Sequence, residues 1–353
     1  MTCTTCTSIR RVDPAASRAL LSWTLPNLGA HLESVLVALG ARVSPESHDV
    51  VWVDFAPLSP AAFLAELEER LSSEVLSHCR AALCPAGASL SSLLVSGMRP
   101  LSGLIALSRA EWLVDALDNG GLEVHLQPIL AAADGRSVYA HECLLRSRDE
   151  EGGLVGAPRI FAAAEAADLM FQLDRAARLA AIRSVAERAP EGKVFINFNP
   201  TSVYDPAFCL QSTLKAARDS GLSLDRFVFE IVESEEIADV DRLRSILDVY
   251  RRAGCGVALD DLGAGFSSLG LLASLRPDYV KFDRQLVHGV ADDDFKQVML
   301  RKLLELASDL QIITIGEGVE READWHFLRD AGVDLVQGFH FARPALEPFV
   351  PAA

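Results

Sequence analysis

The sequence is short of positive charge, of long apolar runs and of regular cysteine spacing, and each shortage excludes a class of protein. Lys and Arg number 33 against 49 Asp and Glu, a formal net charge of −16. A protein that tracks a nucleic-acid backbone needs clustered cations to displace condensed counterions, so an extended nucleic-acid polymer is not an expected partner. A small phosphorylated ligand stays open, because it needs cations only locally. The longest uncharged stretch, Ala81 to Met98, is short for a bilayer span and is interrupted by Pro85, Gly87, Gly97 and several serines, so no membrane insertion is expected. The opening residues MTCTTCTSIRRVDP lack the basic-then-apolar order of a secretory leader. Seven cysteines, an odd count at irregular spacing, fit reduced thiols better than a disulfide framework. A cytoplasmic protein is the expectation.

Half of the residues are hydrophobic and 23% are charged, the balance of a globular chain with a sizeable core. Two textures divide it. Residues 1–106 are rich in Ala, Ser and Leu and read as a small α/β domain, expected to be regulatory and assigned no function of its own. Its one clear strand candidate is Val50–Phe55, with helices expected over Asn27–Leu39 and over Pro60–Leu83, the latter opened by Ser59-Pro60. It carries no Gly-rich phosphate loop. Cys3 and Cys6, spaced C-x-x-C, and Cys79 and Cys84 beside His78 are candidates for a metal or redox site, against the plainer reading of a loose terminus and buried thiols.

Residues 107–353 have a different rhythm. The runs LEVHLQPIL, SVYAHECLLR, KVFINFNP, FVFEIVE, GVALDDLG, YVKFD, IITIGEG and LVQGFHFARP alternate with helix-period stretches at Ile160–Arg188, Asp239–Ala253, Phe295–Leu310 and Glu322–Ala331. Strands alternating with helices predict a parallel sheet, and eight strands predict a (β/α)8 TIM-like barrel. Most runs are apolar and then end in charge or amide: Glu142 and Arg146, Asn197, Glu230 and Glu233, Asp260 and Asp261, Lys281 and Asp283, Glu317, Gln337. In a barrel these ends converge on one mouth. Solvent-facing strand ends account for one or two such residues, but not for acids or amides on nearly every strand.

Five carboxylates in one cavity (Glu142, Glu230, Asp260, Asp261, Glu317) repel one another unless cations neutralise them. Hard divalent ions such as Mg²⁺ and Mn²⁺ take oxygen ligands, and Asn197 offers a neutral one. No His or Cys stands at these ends, which disfavours zinc. Adjacent acids suit a two-ion arrangement, the usual device against a phosphodiester. Lys281 among them fits an orienting group, a base or a charge neutraliser.

At these residues the chain resembles the EAL-domain family of cyclic di-GMP phosphodiesterases, from about Leu107 to Leu346. ECLLR stands at the family's Glu-Ala-Leu-Leu-Arg signature, and QPIL, INFNP, FEIVES, DDLGAGFSSL, VKFD, GEGVE and VQGFHFARP follow the family's order. The resemblance implies a barrel with one antiparallel strand near its start, and hydrolysis of cyclic di-GMP to linear pGpG with two Mg²⁺ or Mn²⁺ ions. It implies metal ligands at Glu142, Asn197, Glu230, Asp260, Asp261 and Glu317, with Lys281, Glu317 and Glu142 catalytic and Lys281 the general-base candidate. Gln127, Arg146, Asp283, Glu320 and Gln337 would bind or support the substrate, and Glu233 would anchor the loop bearing Asp260 and Asp261. A homodimer through the barrel is also implied. The chain departs from the pattern at Cys143, Asn199, Leu262, Ala264 and Phe266, so two loop hydroxyls are absent. A barrel that binds cyclic di-GMP without hydrolysing it is the alternative. No Gly-Gly-Asp/Glu-Glu-Phe signature of a cyclase is present.

Overall fold

The structure, a computed structural model, describes all residues except 1–8, 10, 26, 89, 91–92, 94–96, 150, 204, 232–238, 263–267 and 352–353. Two compact units emerge: Ser8–Gly121 with Arg148–Met170, and Leu122–Ser147 with the chain from Phe171 onward.

The first unit is built on a five-stranded antiparallel sheet in the order β2-β3-β1-β4-β5. The strands are β1 (Arg18–Trp23), β2 (Arg42–Ser47), β3 (Val50–Asp54), β4 (Cys79–Cys84) and β5 (Arg99–Pro100). Helices Leu28–Ala38 and Pro60–Arg70 follow β1 and β3, which makes a split βαβ pattern of ferredoxin-like type. Alternation along β1 turns Ala19, Leu21 and Trp23 toward a core shared with Leu32, Leu36, Phe63 and Leu67, where Phe55 stacks on Phe63 at 4.3 Å. The single helix expected over Pro60–Leu83 does not form. It stops at Arg70, Ser72 caps a short helix Ser73–Ser77, and β4 follows, paired along its length with β1 from Arg18↔Cys84 to Trp23↔Cys79. The Ala- and Leu-rich composition of CRAALC favours helix locally, and sheet pairing overrides it. The segment Arg148–Met170 adds a short strand β8 (Leu154–Gly156) and the helix Ala157–Ala166 to this unit.

The second unit is a closed barrel of eight strands: β6 (Glu123–Ala131), β7 (Val138–Arg148), β9 (Lys193–Phe198), β10 (Phe227–Ile231), β11 (Gly256–Leu262), β12 (Tyr279–Phe282), β13 (Ile313–Gly316) and β14 (Leu335–Val336). Strands β7 and β9 to β14 run parallel, whereas β6 is antiparallel to both β7 and β14. The reversal has a local cause: β6 and β7 are joined by a short hairpin connection, residues 132–137, and not by a crossover helix. The helical stretch Ile160–Arg188 is two helices, Ala157–Ala166 and Met170–Arg188, broken where Asp168 takes φ 58°. The helices Val240–Arg252, Asp294–Asp309 and Glu322–Ala331 lie where periodicity placed them.

Each barrel strand gives one side chain to an apolar inner layer: Ile129, Ala140, Phe195, Val228, Ala258, Tyr279, Ile315 and Leu335. This layer plugs the barrel and forms the floor of what lies above it.

Candidate active site

Side chains in a strand alternate between faces, so the residue two positions on points inward again. Two positions beyond the apolar layer, counted backward on antiparallel β6, stand Gln127, Glu142, Asn197, Glu230, Asp260, Lys281, Glu317 and Gln337. Every strand thus contributes one polar group to the next layer.

Lys281 is the hub of that layer and is only 1% exposed. Its Nζ lies 2.6 Å from Glu317, 2.7 Å from Glu230, 3.3 Å from Asp260 and 3.6 Å from Glu142. The amides close the ring. Asn197 Nδ2 donates to Glu142 Oε1 at 2.9 Å, and Gln337 Nε2 donates to Glu142 Oε2 at 2.7 Å and to Gln127 Oε1 at 3.2 Å.

Asp261 should point away from this layer, since it follows Asp260 directly. A register irregularity between Leu259 and Leu262, with Asp261 at φ 58°, re-aims it. Carboxylate oxygens of Asp260, Asp261 and Glu317 come within 4.8 Å of one another.

Burial dominates the ionisation of the group. It pushes Glu230 well above the usual carboxylate range, opposed by Lys281 and reinforced by Glu142 and Asp260. Burial and then Asp260 do the same for Glu317, against Lys281. Asp261 is pushed up to about 6 by burial, with Asp260 and Asp283 adding to it. For Lys281 burial acts in the opposite direction but is outweighed by Asp260, Glu142, Glu230 and Glu317, which hold its pKa well above the ordinary lysine value.

The remaining candidates stand around this layer. Arg146 is half-buried on β7 and donates to the Leu145 carbonyl at 2.8 Å. Asp283 caps the helix Arg284–Val287 through Gln285 N–H at 2.8 Å, and Glu320 accepts from Arg284 Nε at 3.2 Å. Glu233, Ala264, Phe266, Cys3 and Cys6 lie outside the described residues. Cys79 and Cys84, both on β4 and an odd number of residues apart, enter cores on opposite faces of the sheet and do not share a site. Burial raises both thiols, Cys79 to about 11. Sequence reasoning passes over Asp174 and Arg178, a buried ion pair behind β9 whose only signal is its i, i+4 spacing.

The donor set fits hard divalent cations. It offers oxygen ligands, it holds five carboxylates against one ammonium, and Glu230 Oε1 and Gln337 Oε1 are buried without hydrogen-bond partners among the described residues.

Comparison with known proteins covers the same part of the chain. A family model described as the EAL domain matches residues 110–344. The cyclic di-GMP phosphodiesterase NbdA of Pseudomonas aeruginosa is 32% identical over 254 residues, 70% of this chain and 32% of that protein. The chain spans less than half the length of the curated relatives it matches. A standalone versatile EAL protein from Vibrio cholerae, in its c-di-GMP bound form, is similar at TM-score 0.59 and 30% identity, covering 65% of this chain and 95% of that one. Klebsiella pneumoniae BlrP1, in a manganese and cyclic di-GMP complex, covers 93% of this chain and 96% of its own at TM-score 0.58 and 22% identity, a likeness of fold alone.

Proposed function

We propose that this chain, which belongs to the EAL domain family, hydrolyses cyclic di-GMP to linear pGpG at the carboxylate mouth of its barrel. The observation that carries this reading is the polar layer, in which four acids surround Lys281 and Glu230 Oε1 has no hydrogen-bond partner among the described residues. Glu142, Asn197, Glu230 and Asp260 are the proposed ligands of one divalent ion, Mg²⁺ or Mn²⁺, with Asp261 and Glu317 serving a second. Two such ions would acidify a water and neutralise charge developing on the phosphodiester.

The chain's own groups bind and orient. Lys281, as an ammonium, would orient the attacking water beside Glu317; it could accept a proton only after giving up its own, which requires the field of its four acids to be neutralised. Arg146 offers a guanidinium to a phosphate. Gln127 and Gln337 present amides to the substrate, with Asp283 and Glu320 at the rim. Glu233 is the proposed anchor of the loop after Asp261. Substrate chemistry makes the cytoplasm the proposed compartment. Among the described residues no helix is long and apolar enough to cross a membrane. The first unit is the proposed regulatory part.

A homodimer through the barrel is proposed as well. The helix Asp294–Asp309 and its end carry exposed Phe295, Val298, Met299, Leu306 and Leu310 at helical spacing, an apolar stripe without cover in one copy.

The test is to incubate the protein with cyclic di-GMP and Mn²⁺, with a chelator control, and to separate the products by chromatography. Chelator-sensitive appearance of pGpG is expected. Tight binding without turnover would replace the enzyme by a receptor.

A further inference from the structure

We propose that Asp174 is a positioning residue, a buried carboxylate on the helix Met170–Arg188 that fixes the end of β9 and, through it, the amide of Asn197. The inference rests on the reading of Asn197 as a metal ligand. Asp174 is 3% exposed and Arg178 2%, and they form an ion pair one helical turn apart. Arg178 Nε donates to Thr213 Oγ1 at 3.1 Å, so the pair is tied to the helix Gln211–Asp219. The other carboxylate oxygen, Asp174 Oδ1, accepts the backbone N–H of Asn199 at 2.7 Å. Asn199 stands two residues beyond Asn197, whose amide donates to Glu142 at 2.9 Å. Asn199's own side chain is engaged elsewhere, accepting from Thr201 N–H at 2.9 Å and from Thr201 Oγ1 at 2.7 Å. Asp174 thus holds this strand end through the backbone N–H of Asn199, just past the layer of proposed ligands.

A buried ion pair gains little over apolar side chains of similar volume, because both charges must leave water. Its cost is offset where it sets a geometry. Groups behind a ligand that hold it in place typically change metal affinity when removed, by about 10- to 100-fold.

Two double variants separate placement from stability, since neither leaves a buried charge unpaired. Asp174→Asn with Arg178→Met keeps an oxygen for the Asn199 N–H, whereas Asp174→Leu with Arg178→Met removes it. Binding of Mn²⁺ alone is measured by calorimetry, beside thermal unfolding and hydrolysis of cyclic di-GMP. The Leu/Met variant should bind Mn²⁺ about tenfold more weakly, with the Asn/Met variant close to wild type. In an Asn197→Ala background the Leu/Met change should cost nothing further. Unchanged Mn²⁺ affinity in Leu/Met, an equal loss in Asn/Met, or a loss that adds to that of Asn197→Ala would each overturn the inference alone. A wild-type protein that binds no Mn²⁺ would overturn the metal reading, and the inference with it.

Discussion

Lys281 has no solvent to fall back on: among the described residues its charge is balanced by Glu142, Glu230, Asp260 and Glu317. Removing it leaves those acids facing one another in a low-dielectric cavity, a situation that costs about 3 kcal/mol or more when one partner of a buried pair is lost. Lys281→Met should therefore destabilise the metal-free protein by about that amount. Mn²⁺, which supplies the missing positive charge, should raise its unfolding temperature more than it raises that of the wild type. Thermal unfolding with and without Mn²⁺ checks this: no shift in either protein would count against a metal site, and equal shifts would mean that the ion does not replace the lysine charge. Asp261 poses the opposite case. A non-glycine residue at φ 58° costs about 1 kcal/mol or more, and this one also adds a carboxylate to a crowded site. Asp261→Gly should hold or raise stability by about 1 kcal/mol while lowering hydrolysis, measured by denaturant unfolding beside turnover. A loss of stability would mean that the bend is not strained. The inward residues of all eight strands could be read from period two alone, whereas the aim of Asp261 depends on a register irregularity that period two does not announce.

Among the elements, the strand ends interlock through backbone contacts that leave no room for a side chain. A Cβ on Gly338 would overlap the backbone of Val319, which itself donates to the Gln337 carbonyl at 3.0 Å. Gly338→Ala should displace Gln337 from Glu142, reduce hydrolysis at least tenfold, an effect of about 1.4 kcal/mol on the barrier, and lower stability through the backbone overlap. Steady-state kinetics beside thermal unfolding decides it, and unaltered kinetics would remove Gln337 from the site. Barrel strands were legible because Val, Ile and Phe cluster in them and polar residues close them. The first unit was less so. RALLSW and CRAALC have little β-branching, and they become strands because each lies against the other in the sheet.

For the molecule as a whole, the exposed stripe on Asp294–Asp309 is the largest statement about assembly. Phe295 is 74% exposed, and Val298 and Leu310 also exceed half. Phe295→Glu with Val298→Glu should convert a dimer into a monomer at micromolar concentration, seen by light scattering coupled to size exclusion. A monomeric wild type would contradict the dimer. The alternation of strands and helices disclosed the barrel, but the return of Arg148–Met170 to the first unit was hidden, because its periodicity matches that of a barrel helix.

The central claim is that the polar layer turns over a phosphodiester with divalent ions, and it is tested most directly by hydrolysis of cyclic di-GMP over a Mn²⁺ titration, with wild type beside Glu142→Ala. Glu142 meets Asn197, Gln337 and Lys281 at once. The account predicts saturable, Mn²⁺-dependent formation of pGpG by the wild type and none by Glu142→Ala at any Mn²⁺ concentration. Comparable turnover by the two proteins would place the chemistry elsewhere and contradict it.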